Sequence, residues 1–267
     1  MQSPQEMAAS SQALYDHDLQ LTRDNRERLR QNGNLLYWYK QLYDQIFAGM
    51  PGLRDKQILE IGSGTSPLKL YYPQVVTSDV LALDYLDHVF DCHEIDCYDG
   101  IADHGVDVMS LTNVLHHLRD PLEFLTKATR KLKRGGQIIA VEPYFSALSY
   151  PLYKTLHHEP VDFSIARPRL ESIEGPLSTS NQAIPQMLFV SRPDWLGELA
   201  PYYDTANIRL DFFSSLSYMA TGGISRSIPV PGAIYRPLFA VDRFLARSAP
   251  KLFASFFITS LTARSTI

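Results

Sequence analysis

A short apolar strand that ends in an acidic residue and a glycine turn sets the strongest constraint on how this chain folds. Residues 58–64 read Ile-Leu-Glu-Ile-Gly-Ser-Gly. Two glycines so close together let the backbone turn sharply and lie against a ligand. In an open α/β sheet, the first strand-to-helix turn lies at the carboxyl edge, where ligands bind. A tight turn without a ligand would also explain the glycines taken alone.

The rest of the chain alternates between apolar strands and helical periodicity, which is typical of βαβ units. The predicted strands are 57–61, 75–78, 88–90, 106–111, 137–141, 208–213 and 254–261. Helices are predicted over 121–132, with Gly135-Gly136 closing the helix, and over 235–247. The sequence therefore predicts an α/β protein with a Rossmann-like, doubly wound, mostly parallel sheet of seven strands.

Charge and cysteine content exclude several functional classes. The formal net charge of −4 disfavours a surface that grips nucleic-acid phosphates. Cys92 and Cys97 are the only cysteines, too few for a disulfide framework or a paired-knuckle zinc site. No secretory signal and no run of ~20 apolar residues is visible. We therefore expect a cytoplasmic protein without a membrane span.

An acidic residue follows the second predicted strand, about twenty residues after the acid of the first strand. Asp79 lies about twenty residues after Glu60, the spacing at which a carboxylate hydrogen-bonds ribose hydroxyls in nucleotide-binding folds. Aspartate also favours helix N-caps, and both readings can hold together.

Six segments, taken in order and spacing, resemble the core of the class I S-adenosylmethionine-dependent methyltransferases. The resemblance is greatest to the type 11-like branch, which includes many bacterial small-molecule and lipid methyltransferases. The matching segments are 59–64, 77–79, 90–92, 112–118, 132–136 and 141–143. Together they extend over about a third of the chain.

The resemblance implies S-adenosylmethionine as the cofactor and assigns its contacts by position. Residues at the ends of the first four strands would bind it: Glu60, Gly62, Ser63 and Gly64 at the methionine and ribose, Asp79 at the ribose hydroxyls, Asp91 and Cys92 at the adenine, and Asn113 at the methionine end or sulfonium. The spacing after Asp91 is longer than usual in the family, so Asp96-Cys97 could replace it. Ser66-Pro67 stand where many members have a third glycine.

Two other functions share parts of this pattern. A dinucleotide-dependent oxidoreductase has the same strand, glycine turn and later acid, but it needs a third glycine to seat a pyrophosphate. A non-catalytic cofactor-binding partner subunit would also tolerate the missing glycine. Glu60, Asp79 and Asn113 favour the catalytic interpretation, because folding alone does not require acids at strand ends.

A histidine-rich loop supplies the candidate catalytic residues. His157, His158 and Glu159 follow the fifth strand, in the region where the family places acceptor-binding elements. Such a cluster can deprotonate an acceptor hydroxyl, although a surface loop with satisfied histidines is an equal alternative. His116-His117 more often form a structural or cofactor wall than a metal site, and we predict no metal.

The resemblance also suggests a division into three regions. Residues 1–50 are predicted to form a helical lid over the cofactor, with the first twelve residues or so frayed. The aromatic residues Tyr37, Trp38, Tyr39 and Tyr43 suggest a wall for the acceptor or sulfonium, and a packed amphipathic helix explains them equally well. Residues 51–145 would form the cofactor-binding core. Residues 146–267 would supply acceptor-binding insertions and the last strands.

The apolar, aromatic C-terminal third indicates a small, lipophilic acceptor. The helix at 235–247 could line an acceptor pocket or rest on a membrane surface, although its polar face carries few cations.

Overall fold

Seven strands form one sheet in the computed structural model, which describes residues 4–156, 159–171 and 175–264. In chain order they are β1 (Ile58–Ile61), β2 (Val76–Asp79), β3 (His88–Val89), β4 (Val106–Thr112), β5 (Leu132–Pro143), β6 (Arg209–Phe213) and β7 (Phe256–Thr262). The order across the sheet is β3-β2-β1-β4-β5-β7-β6. Strands β1 to β5 are parallel, and β7 is antiparallel to both β5 and β6. The predicted Rossmann-like, seven-stranded, mostly parallel sheet is confirmed.

Helices cover both faces of this sheet. The α-helices within the described residues are α1 (Pro4–Gln31), α2 (Gly33–Ile46), α3 (Leu68–Tyr71), α4 (Pro121–Ala128), α5 (Ser149–Leu156), α6 (Ala183–Gln186), α7 (Pro193–Gly197), α8 (Leu216–Thr221), α9 (Gly232–Ser248) and α10 (Pro250–Phe253). Short 3₁₀ turns occupy Leu53–Asp55, Cys92–Cys97, Leu115–His117 and Thr205–Asn207, and a π-helical turn spans Met187–Ser191. Among the described helices, none combines the length and apolar character that crossing a bilayer requires.

Alternating side chains of β5 divide the core into two layers. Ile138 and Ala140 belong to the apolar cluster that includes α4, whereas Ile139 and Val141 belong to the cluster that includes α2. Successive residues of a strand point to opposite faces, so this strand is buried on both sides. The chain order reverses between β1 and β4, which makes their carboxyl ends the switch point of the sheet.

Two local predictions are wrong. Helix α4 ends at Ala128, and Gly135-Gly136 lie inside β5 rather than at a helix end. The pairing of β4 with β5 shifts register there, and Gly135 has φ +69°, so the glycines form a β-bulge. At the N-terminus, α1 begins at Pro4, where frayed chain is predicted. The assignment of residues 1–50, 51–145 and 146–267 to lid, core and acceptor binding stays a prediction.

Candidate functional site

The turn after β1 has a shape that only glycine satisfies at two positions. Gly62 has φ +74°, and a Cβ added there would overlap Cγ2 of Val114. A Cβ at Gly64 would lie 2.7 Å from Cγ2 of Thr22 on α1. The Ser63 N–H donates to the Ser78 carbonyl at 2.9 Å and ties the turn to β2. The predicted glycine turn is thus packed between β4 and α1.

Glu60 is a buried carboxylate at the end of β1. Glu60 is 1% exposed, Oε1 accepts a hydrogen bond from Ser66 Oγ at 2.5 Å, and Oε2 is buried with no hydrogen-bond partner among the described residues. Burial raises the pKa of Glu60 to about 7, although the hydrogen bond from Ser66 opposes that rise. Ser66, which stands where many family members have a third glycine, therefore hydrogen-bonds the Glu60 carboxylate. The helix that follows, α3, is only four residues long.

Asp79 at the end of β2 is held in a fixed orientation. Oδ2 accepts the Gly64 N–H at 2.9 Å, and Oδ1 accepts the Leu81 N–H at 3.0 Å. Burial raises the pKa of Asp79, and the backbone hydrogen bonds oppose it. The carboxylate therefore lies directly beside the glycine turn, as a ribose-binding acid requires.

Asn113, just past the end of β4, adopts a backbone conformation that non-glycine residues rarely take. Its φ is +57°, its N–H donates to the Val141 carbonyl at 2.8 Å, and its side-chain Oδ1 is buried with no partner in the described part of the chain. Glu60 and Asn113 thus offer unsatisfied acceptor atoms at neighbouring strand ends. Buried acceptors are normally paired, and the ammonium group of a bound S-adenosylmethionine has the N–H donors that these two lack. The residues present fit that cofactor.

The two predicted adenine contacts differ in environment. Asp91 leaves β3 and accepts hydrogen bonds from the backbone and ring of His93 at 2.9 and 2.8 Å, which lower its pKa. Burial raises the pKa of the adjacent Cys92 thiol, so it is a neutral, apolar neighbour. Asp96 lies one turn further on, with Oδ1 buried and unpaired within the described chain. The preference for Asp91 over Asp96 stays a prediction.

Helix α1 crosses the glycine turn and contributes contacts that sequence reasoning missed. The Arg26 guanidinium donates to the carbonyls of Gly64 and Ser66 at 3.1 and 3.2 Å and lies 3.8 Å above the Tyr85 ring. Tyr85 donates its hydroxyl to the Gly64 carbonyl at 2.7 Å. The sequence of an amphipathic helix does not indicate which distant loop it will cover. The contact of Arg26 with the glycine turn could therefore not be predicted from the sequence.

The aromatic residues of α2 line the core rather than an open wall. Trp38 is 1% exposed, donates its indole N–H to Ser214 Oγ at 2.6 Å and packs against Phe213 and Phe256. At this position the structure matches the packed amphipathic helix rather than the aromatic wall. Tyr43 is the member that meets the turn, since its hydroxyl lies 3.0 Å from Ser66 Oγ.

A buried histidine joins the ends of β4 and β5. Nδ1 of His116 lies 2.6 Å from Glu142 Oε2, and Nε2 lies 3.4 Å from Glu159 Oε2. The other oxygen of Glu142 accepts the N–H groups of Val114 and Leu115 at 2.9 and 2.7 Å. Burial alone lowers the pKa of His116, but the two carboxylates raise it to about 10. The imidazole is therefore held as a cation between two acids.

Of the three predicted catalytic residues, His157 and His158 lie outside the described residues. Glu159 is described, and besides His116 it accepts hydrogen bonds from Ser180 Oγ at 3.3 Å and Gln182 Nε2 at 2.8 Å. Sequence reasoning missed Glu142 as a partner. Its position could have indicated the contact, because Glu142 lies at the end of β5 and the neighbouring strand β4 leads into His116.

Among the residues that the structure describes, two groups have the spacing to hold a metal ion. The ligand atoms of His116, His117 and Glu159 lie within 4.8 Å of one another. A second group is Asp91, Cys92 and His93. Both groups already engage internal hydrogen bonds.

Two tyrosines interact electrostatically with the cluster of His116, Glu142 and Glu159, which we call the acidic cluster. Burial raises the pKa of Tyr153 on α5 well above its ordinary value, and nearby Tyr218, Glu159 and Glu142 raise it further. Burial likewise raises the pKa of Tyr218 on α8 to about 12, with Glu159 adding to the rise. Phenol groups from both helices therefore lie close to the cluster.

Comparison with known proteins agrees with this geometry. The methyltransferase domain family matches residues 26–176, more than half of the chain. A Thermotoga maritima structure described as a possible histamine N-methyltransferase is similar in fold at 13% identity, over 91% of this chain and 98% of that one, with a TM-score of 0.52. An Archaeoglobus fulgidus SAM-dependent methyltransferase aligns at 17% identity over 89% and 92%, with a TM-score of 0.45. No curated protein matches the sequence. The chain belongs to the methyltransferase domain family and is a class I methyltransferase that depends on S-adenosylmethionine.

Proposed function

We propose that this methyltransferase acts on a small, lipophilic acceptor bound beside Glu159. The observation that carries the proposal is the position of Tyr153. Its hydroxyl donates to the Ser255 carbonyl at 3.3 Å and interacts electrostatically with the Glu142 and Glu159 carboxylates, while its ring packs 5.2 Å from Phe145. One side chain thus joins a polar cluster able to accept a proton to an apolar, aromatic surface.

The cofactor contacts in this proposal follow the strand ends. Glu60 and Asn113 accept hydrogen bonds from the ammonium group at the methionine end, and Gly62, Ser63 and Gly64 let the cofactor lie against the backbone. Asp79 holds the ribose hydroxyls. Asp91, with Cys92 beside the ring, receives the adenine amino group. Bound S-adenosylmethionine supplies an electrophilic methyl group, so the chain mainly aligns the acceptor and excludes water.

Glu159 is the proton acceptor in this scheme. A carboxylate can take a proton from an acceptor hydroxyl or amine when the two lie within hydrogen-bond reach. His116 fixes its orientation from one side, with Nε2 3.4 Å from Oε2. His157 and His158 directly precede Glu159 in the chain, and we propose that they contribute to the same acceptor site.

The aromatic surface next to Tyr153 supports a lipophilic acceptor. Phe145 packs against Phe163 at 5.4 Å and against Tyr150 at 6.1 Å, and both of those partners are 38% exposed. Partly exposed aromatic rings that adjoin a polar cluster are typical of pockets for apolar ligands. We place the reaction in the cytoplasm, which the free thiols of Cys92 and Cys97 support.

A methyl-transfer assay with Glu159→Gln tests the proposal. The full chain would be incubated with methyl-labelled S-adenosylmethionine and a panel of lipophilic phenols, carboxylic acids and amines. We expect one class to be methylated, and we expect the variant to lose about 10² to 10⁴-fold in kcat while calorimetry shows unchanged cofactor binding. The matched control is Glu198→Gln, an exposed glutamate paired with Arg167. Equal rates for Glu159→Gln and wild type would contradict the role of Glu159.

The assay also separates the alternatives. A protein that binds S-adenosylmethionine but methylates nothing in the panel would match the non-catalytic partner-subunit alternative. That alternative rested on the missing third glycine, and the hydrogen bond from Ser66 to Glu60 removes much of its support.

A further inference from the structure

Helix α9 buries one side and leaves a broad apolar stripe uncovered. Its buried residues, Tyr235, Phe239, Asp242 and Ala246, recur at helical spacing and face the protein. The opposite side carries three large apolar side chains, Ile234 at 62%, Val241 at 59% and Phe244 at 68% exposed. Phe244 and Ile234 are among the most exposed large apolar residues of the described chain. The stripe is therefore exposed on the surface rather than packed into the core.

The segment around this stripe is basic, although the protein as a whole is acidic. Residues 226–251, all of which the structure describes, contain the cations Arg226, Arg236, Arg243, Arg247 and Lys251. Their single acid is Asp242, which is 2% exposed. The formal charge of the whole chain is −4. The exposed charged groups of this segment are thus all cations, and they lie among apolar side chains and the exposed serines Ser227 and Ser248.

Asp242 is committed to an internal role. Its carboxylate accepts the N–H groups of Ser215, Leu216 and Ser217 at 2.8–3.1 Å, which fixes the start of α8 against α9. It therefore cannot neutralise the arginines on the outer surface.

The cations lie along one flank of the apolar stripe. Arg236, Arg243 and Arg247 recur at intervals of seven and four, which places them on the same side of the helix. That side faces α2, because Arg236 lies 4.4 Å above the Tyr37 ring. Lys251 and Leu252, the latter 52% exposed, continue the pattern into α10.

We propose that α9 and α10 form a docking surface for an anionic lipid bilayer. A helix with an apolar stripe and flanking arginines lies in the plane of a membrane interface, with its apolar residues among the acyl chains and its cations at the lipid phosphates. Charge complementarity selects this occupant. A second copy of the same cationic face would repel the first, whereas anionic headgroups attract it. The inference stands apart from the identity of the acceptor.

Vesicle co-sedimentation of the full chain tests the proposal. We expect binding to vesicles of phosphatidylcholine with about 30% phosphatidylserine, weak binding to phosphatidylcholine alone, and loss of binding as NaCl rises from about 0.1 to about 0.5 M. The double variant Val241→Asp/Phe244→Asp should lower the partition coefficient by at least about tenfold. Arg236→Gln/Arg247→Gln keeps the apolar stripe and should lower binding only to the anionic vesicles.

A matched control and a second measurement decide the outcome. Leu70→Asp makes the same kind of change at a residue 64% exposed outside this surface, and it should bind as wild type does. Circular dichroism establishes that each variant is folded. Absence of binding to anionic vesicles, or equal binding by Val241→Asp/Phe244→Asp, would overturn the proposal. So would a dimer in light scattering that this double variant dissociates, because the stripe would then belong to a second copy.

Discussion

Nδ1 of His116 lies 2.6 Å from Oε2 of Glu142, and this pair links the loop after β4 to the end of β5. Glu142 also accepts two backbone N–H groups of that loop. Because Val114 packs on Gly62, the same carboxylate indirectly positions the glycine turn. The arrangement of the site therefore depends on this acid, which also shares with Glu159 the role of keeping His116 charged.

Glu142→Gln should destabilise the protein strongly, because it removes one partner of a buried ion pair. We expect a loss of about 3 kcal/mol in the free energy of unfolding at pH 7, measured by urea denaturation. In wild type, the pKa of His116 is raised to about 10. The stability it adds is complete below its ordinary pKa of 6.5 and is lost as pH rises through about 10. That high-pH decline should shrink in the variant. Glu123→Gln, which alters a surface pair with Lys127, is the control and should change little.

Glu60→Gln should change the pH dependence of stability in a way unusual for an acid. Burial raises the pKa of Glu60 from 4.5 to about 7, so the folded protein holds that proton more tightly than the unfolded chain. Its contribution is complete below pH 4.5 and falls by roughly 3 kcal/mol as pH rises to 7. The variant should lack this fall in urea titrations between pH 4.5 and 7. If the free energy of unfolding of the wild type instead rose between pH 4.5 and 7 relative to that of Glu60→Gln, the raised pKa of Glu60 would be refuted.

Asp79→Ala should weaken S-adenosylmethionine binding on the order of 10 to 100-fold, the effect of losing hydrogen bonds to a charged group. The same change frees the N–H groups of Gly64 and Leu81. Calorimetric titration measures the loss, with the nearby exposed Asp84→Ala as the control. NADH should not bind either protein. Unchanged affinity in Asp79→Ala would remove the ribose contact from this residue.

Two alanine variants distinguish the candidate adenine contacts. Asp91 lies two residues beyond the end of β3, so Asp91→Ala should raise the Kd for S-adenosylmethionine by about tenfold. Asp96→Ala should stay within about twofold of wild type. The reverse result would assign the contact to Asp96, whose Oδ1 is buried without a partner.

The local sequence pattern predicted the sheet well because apolar strands and glycine turns depend on residues that are adjacent in sequence. Ile58 to Gly64 and Asp79 were placed correctly on that basis. The bulge at Gly135 was not, since it depends on the register of β5 against β4. Nor was the contact of Arg26 with Gly64, which are 38 residues apart. The partners of His116 come from two further segments, so only the folded chain brings that cluster together.

The position of β7 between β5 and β6 also fixes an order of assembly. Strand β6 pairs only with β7 in the described sheet, yet it is made more than forty residues earlier. A chain emerging from the ribosome therefore carries β6 without a partner until β7 has been synthesised. The edge of β5 opposite β4 likewise lacks its partner until β7 has been synthesised. Closure of the sheet, and with it the pairing of the Glu142 end of β5, is thus a late event in biosynthesis.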